Sequence, residues 1–411
     1  MPHRTRVLAI VQAGGAGSRM DVLTRERAKP ALPFGGHYQL VDFALSSLAH
    51  SGISDVWVGV QYQAMSLARH VAGGRPWDLD RTRGGLRWLV PEEGGGSSTQ
   101  TGFSTGNADD LYRRLDDIRS HAPDVVVVLS SDSVFALDIR DVLDEHLESG
   151  ADCTVVTSEV TRTQAKAKGV VTVDRKGWVT DVDYKPDDPP ATTIAAEIFV
   201  YQAAALIDAL ETLVRQLREE EEDPEDTGLG DFGETLLPHL VRHGKVRAFP
   251  LPGYWRDMGT PAEYLSGHRD LLAGRIDLLR NDDWPILTHF PELPAARVAE
   301  GAEVADSVIS AGCEVHGTVR KSVLGPGVSV AAGAIVEDSI IFARTTIESG
   351  AHIATSIIDA HCTIRRGATV GRLARATRAQ DGDLVIVGRD SVIGRGAVLE
   401  PGSRLEPGTT V

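Results

Sequence analysis

Short apolar runs alternate with amphipathic segments along the chain up to about Leu272. Runs bounded by polar residues or glycine are typical of strands buried on both faces of a parallel sheet. Strands are predicted at Val7–Val11, Val56–Val60, Val125–Leu129, Cys153–Thr157 and Ile198–Tyr201, and helices at Leu40–His50, Ala108–Ser120, Ile139–Glu148 and Ala203–Gln216. This alternation predicts an α/β fold, a Rossmann-like domain built on a mostly parallel mixed sheet.

The pattern changes from about Ala296, where β-branched residues and leucine recur at every sixth position. The sets are Leu324, Val330 and Val336; Ile341, Ile347 and Ile353; Ile358, Ile364 and Val370; and Ile393, Leu399, Leu405 and Val411. Six-residue repeats are typical of a parallel β-helix, here expected to be left-handed. We expect each short side to contribute one inward aliphatic side chain, and the coils to stack so that these sets form a continuous core. The polar stretch Arg372–Asp383 is expected to interrupt the coils.

These two patterns divide the chain into two domains, for which 411 residues are sufficient. We expect a catalytic domain at 1–272, a linker at 273–295 and the β-helix at 296–411. Within the first domain, Glu219–Asp226 is a dense acidic run. Because like charges repel, a solvated loop is favoured over the alternative, an acidic metal site.

Composition narrows the classes of partner. The formal net charge of −16 argues against broad binding of nucleic acid or an anionic membrane surface. Cys153, Cys313 and Cys362 are widely spaced, which indicates neither a disulfide framework nor a zinc site and fits a reducing compartment. The first apolar run is too short for a signal peptide, and no stretch approaches the length of a membrane span. We therefore expect a cytoplasmic protein.

A glycine-rich stretch, Gln12–Met20, follows directly on the first predicted strand. Glycine adopts positive φ and exposes backbone N–H groups, so such a turn can hold phosphate oxygens. Arg19 and the nearby Lys29 add positive charge. The spacing matches neither the dinucleotide-binding motif nor the phosphate loop that ends in Gly-Lys-Ser/Thr. A plain tight turn is the alternative interpretation.

Two aspartates and one lysine are further candidates for chemistry. Asp132 follows the strand Val125–Leu129, at the edge of a parallel sheet where ligands bind, although it is also compatible with a helix cap. Asp257 lies between aromatic and glycine residues, and two carboxylates meeting at a nucleotide's phosphates would hold Mg²⁺. Lys185 precedes Pro186 and could bind a sugar phosphate as a point charge, or be an ordinary surface lysine.

The order of these elements, ending in a β-helix, resembles that of the ADP-glucose pyrophosphorylases (glucose-1-phosphate adenylyltransferases). The resemblance covers nearly the whole chain and joins the glycine loop, Lys29, Asp132, Lys185 and Asp257. The segments that carry it are Arg27–Tyr38, Leu40–Ser47, Ser51–Ile53, Gln61–Gln63, Asp231–Gly233 and Tyr254–Thr260.

The resemblance implies a nucleotidyltransferase that converts ATP and glucose 1-phosphate into ADP-glucose and pyrophosphate, in glycogen or α-glucan biosynthesis. Catalysis would then consist of positioning and charge stabilisation. It further implies Mg²⁺ as cofactor, allosteric control and assembly into a homotetramer, or a hetero-oligomer with a paralogue. The implied roles are catalytic for Arg19, Lys29 and Asp132; nucleotide-binding for Ala13, Gly14, Gly15, Gly17, Ser18 and Gly106; sugar-phosphate-binding for Gly169 and Lys185; and metal-binding for Asp132 and Asp257.

Several positions depart from the family pattern, mostly where the sugar and the base would lie. The departures are Ala16 for a loop arginine, Glu26 for a basic residue, Glu92 and Glu93 for glutamines, Asn107 and Asp110 in the Gly-Thr-Ala-Asp-Ala motif, Ser133–Phe135 after the metal aspartate, Tyr184 for an acidic residue, and Ala195–Glu197 for Ser-Met-Gly. Because the phosphate and metal residues are retained, an active enzyme is favoured. A different sugar or base preference, or a non-catalytic regulatory paralogue, is the alternative.

Overall fold

A mixed β-sheet forms the centre of the first domain in the computed structural model, which describes residues 5–91, 103–217, 227–277, 279, 281–374 and 380–411. The predicted acidic loop at 219–226, together with Glu92 and Glu93, lies outside the described residues. The strands of this domain are β1 (Val7–Gln12), β2 (Pro33–Phe34), β3 (Tyr38–Gln39), β4 (Asp55–Gly59), β5 (Gly85–Leu89), β6 (Val125–Ser130), β7 (Ser133–Phe135), β8 (Cys153–Glu159), β9 (Gly169–Val173), β10 (Val179–Tyr184), β11 (Thr193–Gln202), β12 (Val246–Pro250) and β13 (Trp255–Asp257).

The main sheet has the order β10-β9-β11-β6-β1-β4-β5, with β8 beside β11 and β12 beside β8. Strands β6, β1, β4 and β5 are parallel, as the apolar runs predict, whereas β11 runs antiparallel to β6 and β8. Side chains of β1 alternate between two cores, with Leu8 and Ile10 on one face and Ala9 and Val11 on the other. The carboxyl ends of β1, β4 and β6 therefore meet at one edge.

Helices cover both faces of the sheet. They are α1 (Leu40–His50), α2 (Ala64–Val71), α3 (Asn107–Arg113), α4 (Leu115–His121), α5 (Ile139–Ser149), α6 (Arg162–Ala165), α7 (Ala203–Leu217), α8 (Leu236–His243) and α9 (Pro261–Leu272). The single helix predicted at 108–120 is wrong, because the chain leaves helical geometry at Arg114 (φ −102°, ψ 3°). The Arg114 N–H donates to the Leu111 carbonyl in a tightened turn, and two short helices result. No helix among the described residues is long and apolar enough to cross a membrane.

The second domain is a left-handed parallel β-helix built from three parallel six-stranded sheets. Its strands are β14 (Arg297–Val298), β15 (Glu303–Ala305), β16 (Val308–Ile309), β17 (Glu314–Val315), β18 (Thr318–Arg320), β19 (Val323–Leu324), β20 (Ser329–Val330), β21 (Ile335–Glu337), β22 (Ile340–Ile341), β23 (Thr346–Ile347), β24 (His352–Ala354), β25 (Ser356–Ile358), β26 (Thr363–Ile364), β27 (Thr369–Val370), β28 (Val385–Val387), β29 (Val392–Ile393), β30 (Val398–Leu399) and β31 (Arg404–Leu405).

The strand register shows how this core is stacked. Leu324 pairs with Ile341, and Ile341 pairs with Ile358, each a step of 17 positions, whereas Val308 pairs with Val323 at a step of 15. Residues spaced by six lie on successive sides of a coil, and each side contributes one inward aliphatic side chain, as predicted. The hydrogen-bonding partner of each strand lies one coil away.

The predicted interruption at 372–383 is confirmed by the same register. The column passes from Ile358 directly to Val387, so the chain between them includes a segment that adds no rung. Part of this segment, 375–379, lies outside the described residues, and Asp381–Asp383 forms a 3-10 turn beside the β-helix.

The two domains are joined by an apolar cluster and by ion pairs. Met20 and Tyr264 of the first domain pack in one cluster with Phe342, Ile357 and Ile386 of the β-helix. Among the described residues, five arginine–carboxylate pairs cross the same boundary: Arg27–Asp359, Arg25–Glu406, Arg269–Asp338, Arg404–Asp21 and Arg389–Glu26. The β-helix is thus fastened directly against the domain that holds the glycine loop.

Truncating one rung of the β-helix is expected to destabilise it strongly. Ile353 is fully buried and stacks between Val336 and Val370. Ile353→Ala leaves a cavity in a core that cannot close, so we expect a loss of about 2–5 kcal/mol in the free energy of unfolding, measured with urea. The neighbouring His352 has a side chain that is 46% exposed, and His352→Ala should change stability by less than about 0.5 kcal/mol. Equal losses would contradict the assignment of Ile353 to the core.

Candidate active site

A cavity of about 370 Å³ opens at the carboxyl edge of the main sheet. Its walls come from the glycine loop after β1, the end of β6, the start of α3 and the turn at Asp231 and Phe232. Such edges are where parallel sheets bind ligands, because loops diverge there from strands of the same direction. The position of the cavity agrees with the sequence-based expectation for the glycine loop.

The loops that form the cavity are tightly constrained at two glycines, of which Gly106 lines the cavity and Gly17 lies in the glycine loop. Gly17 has φ 66°, a left-handed conformation that other residues adopt only with strain. A Cβ at Gly106 would lie 2.2 Å from the Gly230 carbonyl carbon, so the loop before α3 and the loop before Asp231 touch backbone to backbone. Larger residues at these positions would push the cavity walls apart.

The cationic side of the cavity consists of Arg19 and Lys29. Arg19 is exposed and lines the cavity, and Lys29 is buried in the 3-10 turn Lys29–Ala31. Ala16, the residue in place of the family's loop arginine, also lines the cavity. Two cations beside a glycine loop suit a polyphosphate.

Strand pairing brings the two predicted metal aspartates together. Strands β7 and β13 are antiparallel, with Ser133 opposite Asp257, and the Met258 N–H donates to the Asp132 carbonyl at 3.2 Å. The Lys29 ammonium lies 2.5 Å from Asp132 Oδ2 and 3.6 Å from Asp257 Oδ1. One ammonium therefore contacts both carboxylates.

Burial and ion pairing have opposite effects on these groups. Burial alone would raise the pKa of Asp132, but the Lys29 ammonium and a 2.6 Å hydrogen bond from the Ser130 hydroxyl hold that pKa well below its usual range. Burial likewise would lower the pKa of Lys29, and the charges of Asp132 and Asp257 outweigh it and raise that pKa. Both groups are therefore charged at neutral pH.

Two further charged residues belong to this cluster and were missed as site residues by sequence reasoning. The Lys168 ammonium forms an ion pair with Asp257 Oδ2, and Glu197 lines the cavity. Burial and then the Asp132 charge raise the pKa of Glu197 to about 7. Lys168 precedes β9 without a local motif, so only the tertiary structure reveals its contact. Glu197 stood out as a departure from the family pattern, without an assigned role.

The predicted sugar-phosphate residues lie beside the cavity. Lys185, with φ 51°, is about half exposed and lies 4.0 Å from Asp231 Oδ2, with its ammonium above the Tyr184 ring. The Tyr184 hydroxyl donates to Asp231 Oδ2 at 2.7 Å, which raises the pKa of Tyr184, burial being the larger cause. Gly169 pairs with Tyr184 across β9 and β10.

The predicted site residues thus divide into two groups. Those that line the cavity are Ala13, Gly14, Gly15, Arg19, Lys29, Gly106, Asp132 and Asp257. Those that do not line it are Gly17, Ser18, Gly169 and Lys185. Asp110 and Gln61 line it as well, without having been predicted. The individual roles remain predictions.

The donor set fits a divalent cation. Asp132 and Asp257 supply carboxylate oxygens that a single ammonium already bridges, and a hard cation of higher charge prefers such oxygens. Within the described parts of the chain, no group of three or more His, Cys, Asp or Glu side chains has the geometry to hold a metal. These residues therefore fit an ion held by two carboxylates. Such an ion keeps further coordination positions for water or phosphate oxygens.

Comparisons with known proteins agree with this geometry. The family model described as "Nucleotidyl transferase" matches residues 8–274, and the one described as "GlmU-like, C-terminal hexapeptide" matches residues 294–383. The glucose-1-phosphate adenylyltransferase of Bacillus thuringiensis is 36% identical, over 83% of this chain and 88% of its own. Those of Thermotoga neapolitana and Thermosipho africanus are 38% and 35% identical, over 80% of this chain and 76% and 78% of theirs. The chain belongs to the nucleotidyl transferase family, among the glucose-1-phosphate adenylyltransferases.

Proposed function

We propose that this protein transfers the adenylyl group of ATP to glucose 1-phosphate, forming ADP-glucose and pyrophosphate with Mg²⁺ as cofactor. The observation that carries the proposal is the meeting of Asp132 and Asp257 at Lys29, in the cavity that the glycine loop also lines. The catalytic unit is assigned to 1–272 and assembly to 296–411, with 273–295 between them.

Catalysis of this reaction depends mainly on positioning the two substrates and on stabilising the charge that develops. An oxygen of the sugar phosphate attacks the α-phosphorus of ATP, and the bond to the pyrophosphate oxygen breaks. Backbone N–H groups around Gly14 and Gly15 hold the phosphates, while Arg19 and Lys29 neutralise the leaving pyrophosphate. Asp132 and Asp257 would hold Mg²⁺, which when bound would lower the cost of charge at the reacting phosphate.

A substrate panel tests the proposal. Full-length protein with Mg²⁺ is offered ATP or another nucleoside triphosphate together with one of several hexose 1-phosphates, and release of pyrophosphate is measured. ATP with glucose 1-phosphate should give the highest kcat/KM. Release with another pair would indicate a different sugar or base preference. No release with any pair would contradict an enzymatic role and favour a regulatory paralogue.

Localisation, assembly and regulation are proposed more broadly. The three free, buried cysteines fit a reducing compartment, and we place the protein in the cytoplasm. We propose a homotetramer, or a hetero-oligomer with a paralogue, assembled through the β-helix, on which Val298 and Val398 are exposed. Light scattering tests this, and a monomer would contradict it. Sugar phosphates and inorganic phosphate are the effectors to screen. Glu26 replaces a basic residue of the family pattern and lies 3.6 Å from Arg389, which argues against such effectors.

A further inference from the structure

Lys168 is a buried cation behind the candidate metal site. Its side chain is 14% exposed, and its ammonium forms an ion pair with Asp257 Oδ2 and lies 5.7 Å from the centre of the Trp255 ring. Its carbonyl accepts a hydrogen bond from the Lys185 N–H at 2.9 Å, which fixes the backbone. Lys168 is not among the residues that line the cavity. It therefore acts on the site through Asp257 and does not reach a ligand's phosphates.

Glu197 is the complementary feature, a carboxylate that has no bonded partner within the described part of the chain. It lies in an irregular part of β11, where the register against β8 shifts between Ala195 and Phe199, and its φ is 58°. A non-glycine residue in this conformation is strained, and the strain persists where the surroundings require it. Among the described residues, none forms a hydrogen bond or ion pair with the Glu197 carboxylate. Strands β9 and β11 are antiparallel, with Val170 opposite Ile194, which places Lys168 beside the irregular stretch that contains Glu197. The charge of Lys168 accordingly acts on Glu197.

The balance of charges in the cluster gives the Glu197 carboxylate a role. Three carboxylates (Asp132, Asp257 and Glu197) face two ammonium groups (Lys29 and Lys168). A divalent cation on the two aspartates would compete with both ammonium groups for the same oxygens. Lys29 lines the cavity and can turn to the phosphates of a nucleotide. Lys168 is enclosed, and an ammonium buried without a partner is strongly unfavourable.

We infer that Lys168 exchanges Asp257 for Glu197 when a divalent cation binds, so that Glu197 is a positioning residue that sets the affinity for the cation. The inference rests on the metal site of the proposed function. In the cation-free state, Lys168 and Lys29 hold the two aspartates in place. In the bound state, the Lys168 ammonium that the cation displaces from Asp257 pairs with Glu197 and so keeps a counterion while buried.

The test measures binding of Mn²⁺ to the full-length protein by the electron paramagnetic resonance of free Mn²⁺, with α,β-methylene-ATP present. Glu197→Gln should weaken Mn²⁺ binding by about tenfold or more, because Lys168 then has no second partner. Lys168→Met should tighten binding, because the competing ammonium is gone. In the Lys168→Met background, Glu197→Gln should change affinity by no more than about threefold. Glu159→Gln, at an exposed carboxylate on β8, is the matched control and should have no effect.

Each alternative gives a different result. An equal loss from Glu197→Gln in both backgrounds would show that Glu197 acts directly on the cation, and would overturn the exchange. No loss in either background, or no Mn²⁺ binding by the wild type, would also overturn it. Thermal melting without metal checks folding, and Lys168→Gln replaces Lys168→Met if the latter does not fold. The proposed function fails separately, if the wild type binds Mn²⁺ with this pattern but releases no pyrophosphate with any substrate pair.

Discussion

Asp132→Asn is expected to lower the kcat for pyrophosphate release by about a thousandfold or more. The amide keeps the shape of the side chain but removes the charge that a divalent cation requires, and it leaves Lys29 facing Asp257 alone. Positioned charge is the main source of catalysis in phosphoryl and nucleotidyl transfer, so its loss should affect kcat more than the KM for the sugar phosphate. The measurement is a steady-state pyrophosphate assay at saturating Mg²⁺ and ATP.

The matched control for this variant is Asp188→Asn. Asp188 is 87% exposed and pairs with Arg162 on the surface, so the Asp188→Asn variant should have the same kcat as the wild type. A chelator should abolish wild-type activity, and added Mg²⁺ should restore it. If Asp132→Asn retained more than a tenth of the wild-type rate, the assignment of Asp132 as a metal ligand would be wrong.

Breaking the buried ion pair between the domains is expected to cost about 3–5 kcal/mol of stability. Arg27 donates two hydrogen bonds to Asp359, at 2.8 and 3.1 Å, and the two side chains are 12% and 2% exposed. Asp359→Leu leaves the guanidinium of Arg27 buried without its counterion. The Asp359 carboxylate also accepts from the Ala360 N–H at 2.6 Å, so a backbone donor is orphaned as well. Urea unfolding monitored by circular dichroism measures the loss.

A second ion pair across the same boundary provides the control. Arg25 and Glu406 are 53% and 60% exposed, and Glu406→Gln should change stability by less than about 1 kcal/mol. The double variant Arg27→Met with Asp359→Leu should recover most of the stability that Asp359→Leu loses, because no charge is then left buried. If the double variant were as unstable as the single one, the loss of stability would come from packing around Asp359 and not from the buried charge.

Local patterns in the sequence predicted the elements that depend on neighbouring residues. The run before Asp132 and the glycine loop after β1 each contain their own strand and turn signals, and both reach the cavity edge. The six-residue period likewise predicted the β-helix. The period gives the length of a side, whereas the pairing of one coil with the next is seen only in the strand register.

Contacts between distant segments could not be derived in this way. Nothing near Lys168 in sequence indicates Asp257, since their contact depends on β7 and β13 pairing and on where β9 begins. The hydroxyl of Tyr184 is bonded to Asp231, so the tyrosine that replaces an acidic residue has a partner of its own. Such pairings are set by the assembled sheet, and only the tertiary structure reveals them.

The register of the β-helix has a consequence for how this chain can change in length. Deleting or inserting one residue within a strand would shift the residues that follow it in that strand and turn aliphatic side chains outward. Whole coils, or segments looped out between rungs, avoid this shift. The predicted interruption at 372–383 marks such a place, because Val385 and Ile386 resume the register with Ser356 and Ile357. Length variation in the domain should therefore occur between strands, as the step of 15 from Val308 to Val323 and the step of 17 from Val323 to Ile340 already show. A tag or binding module inserted at 372–383 should leave the stack in register.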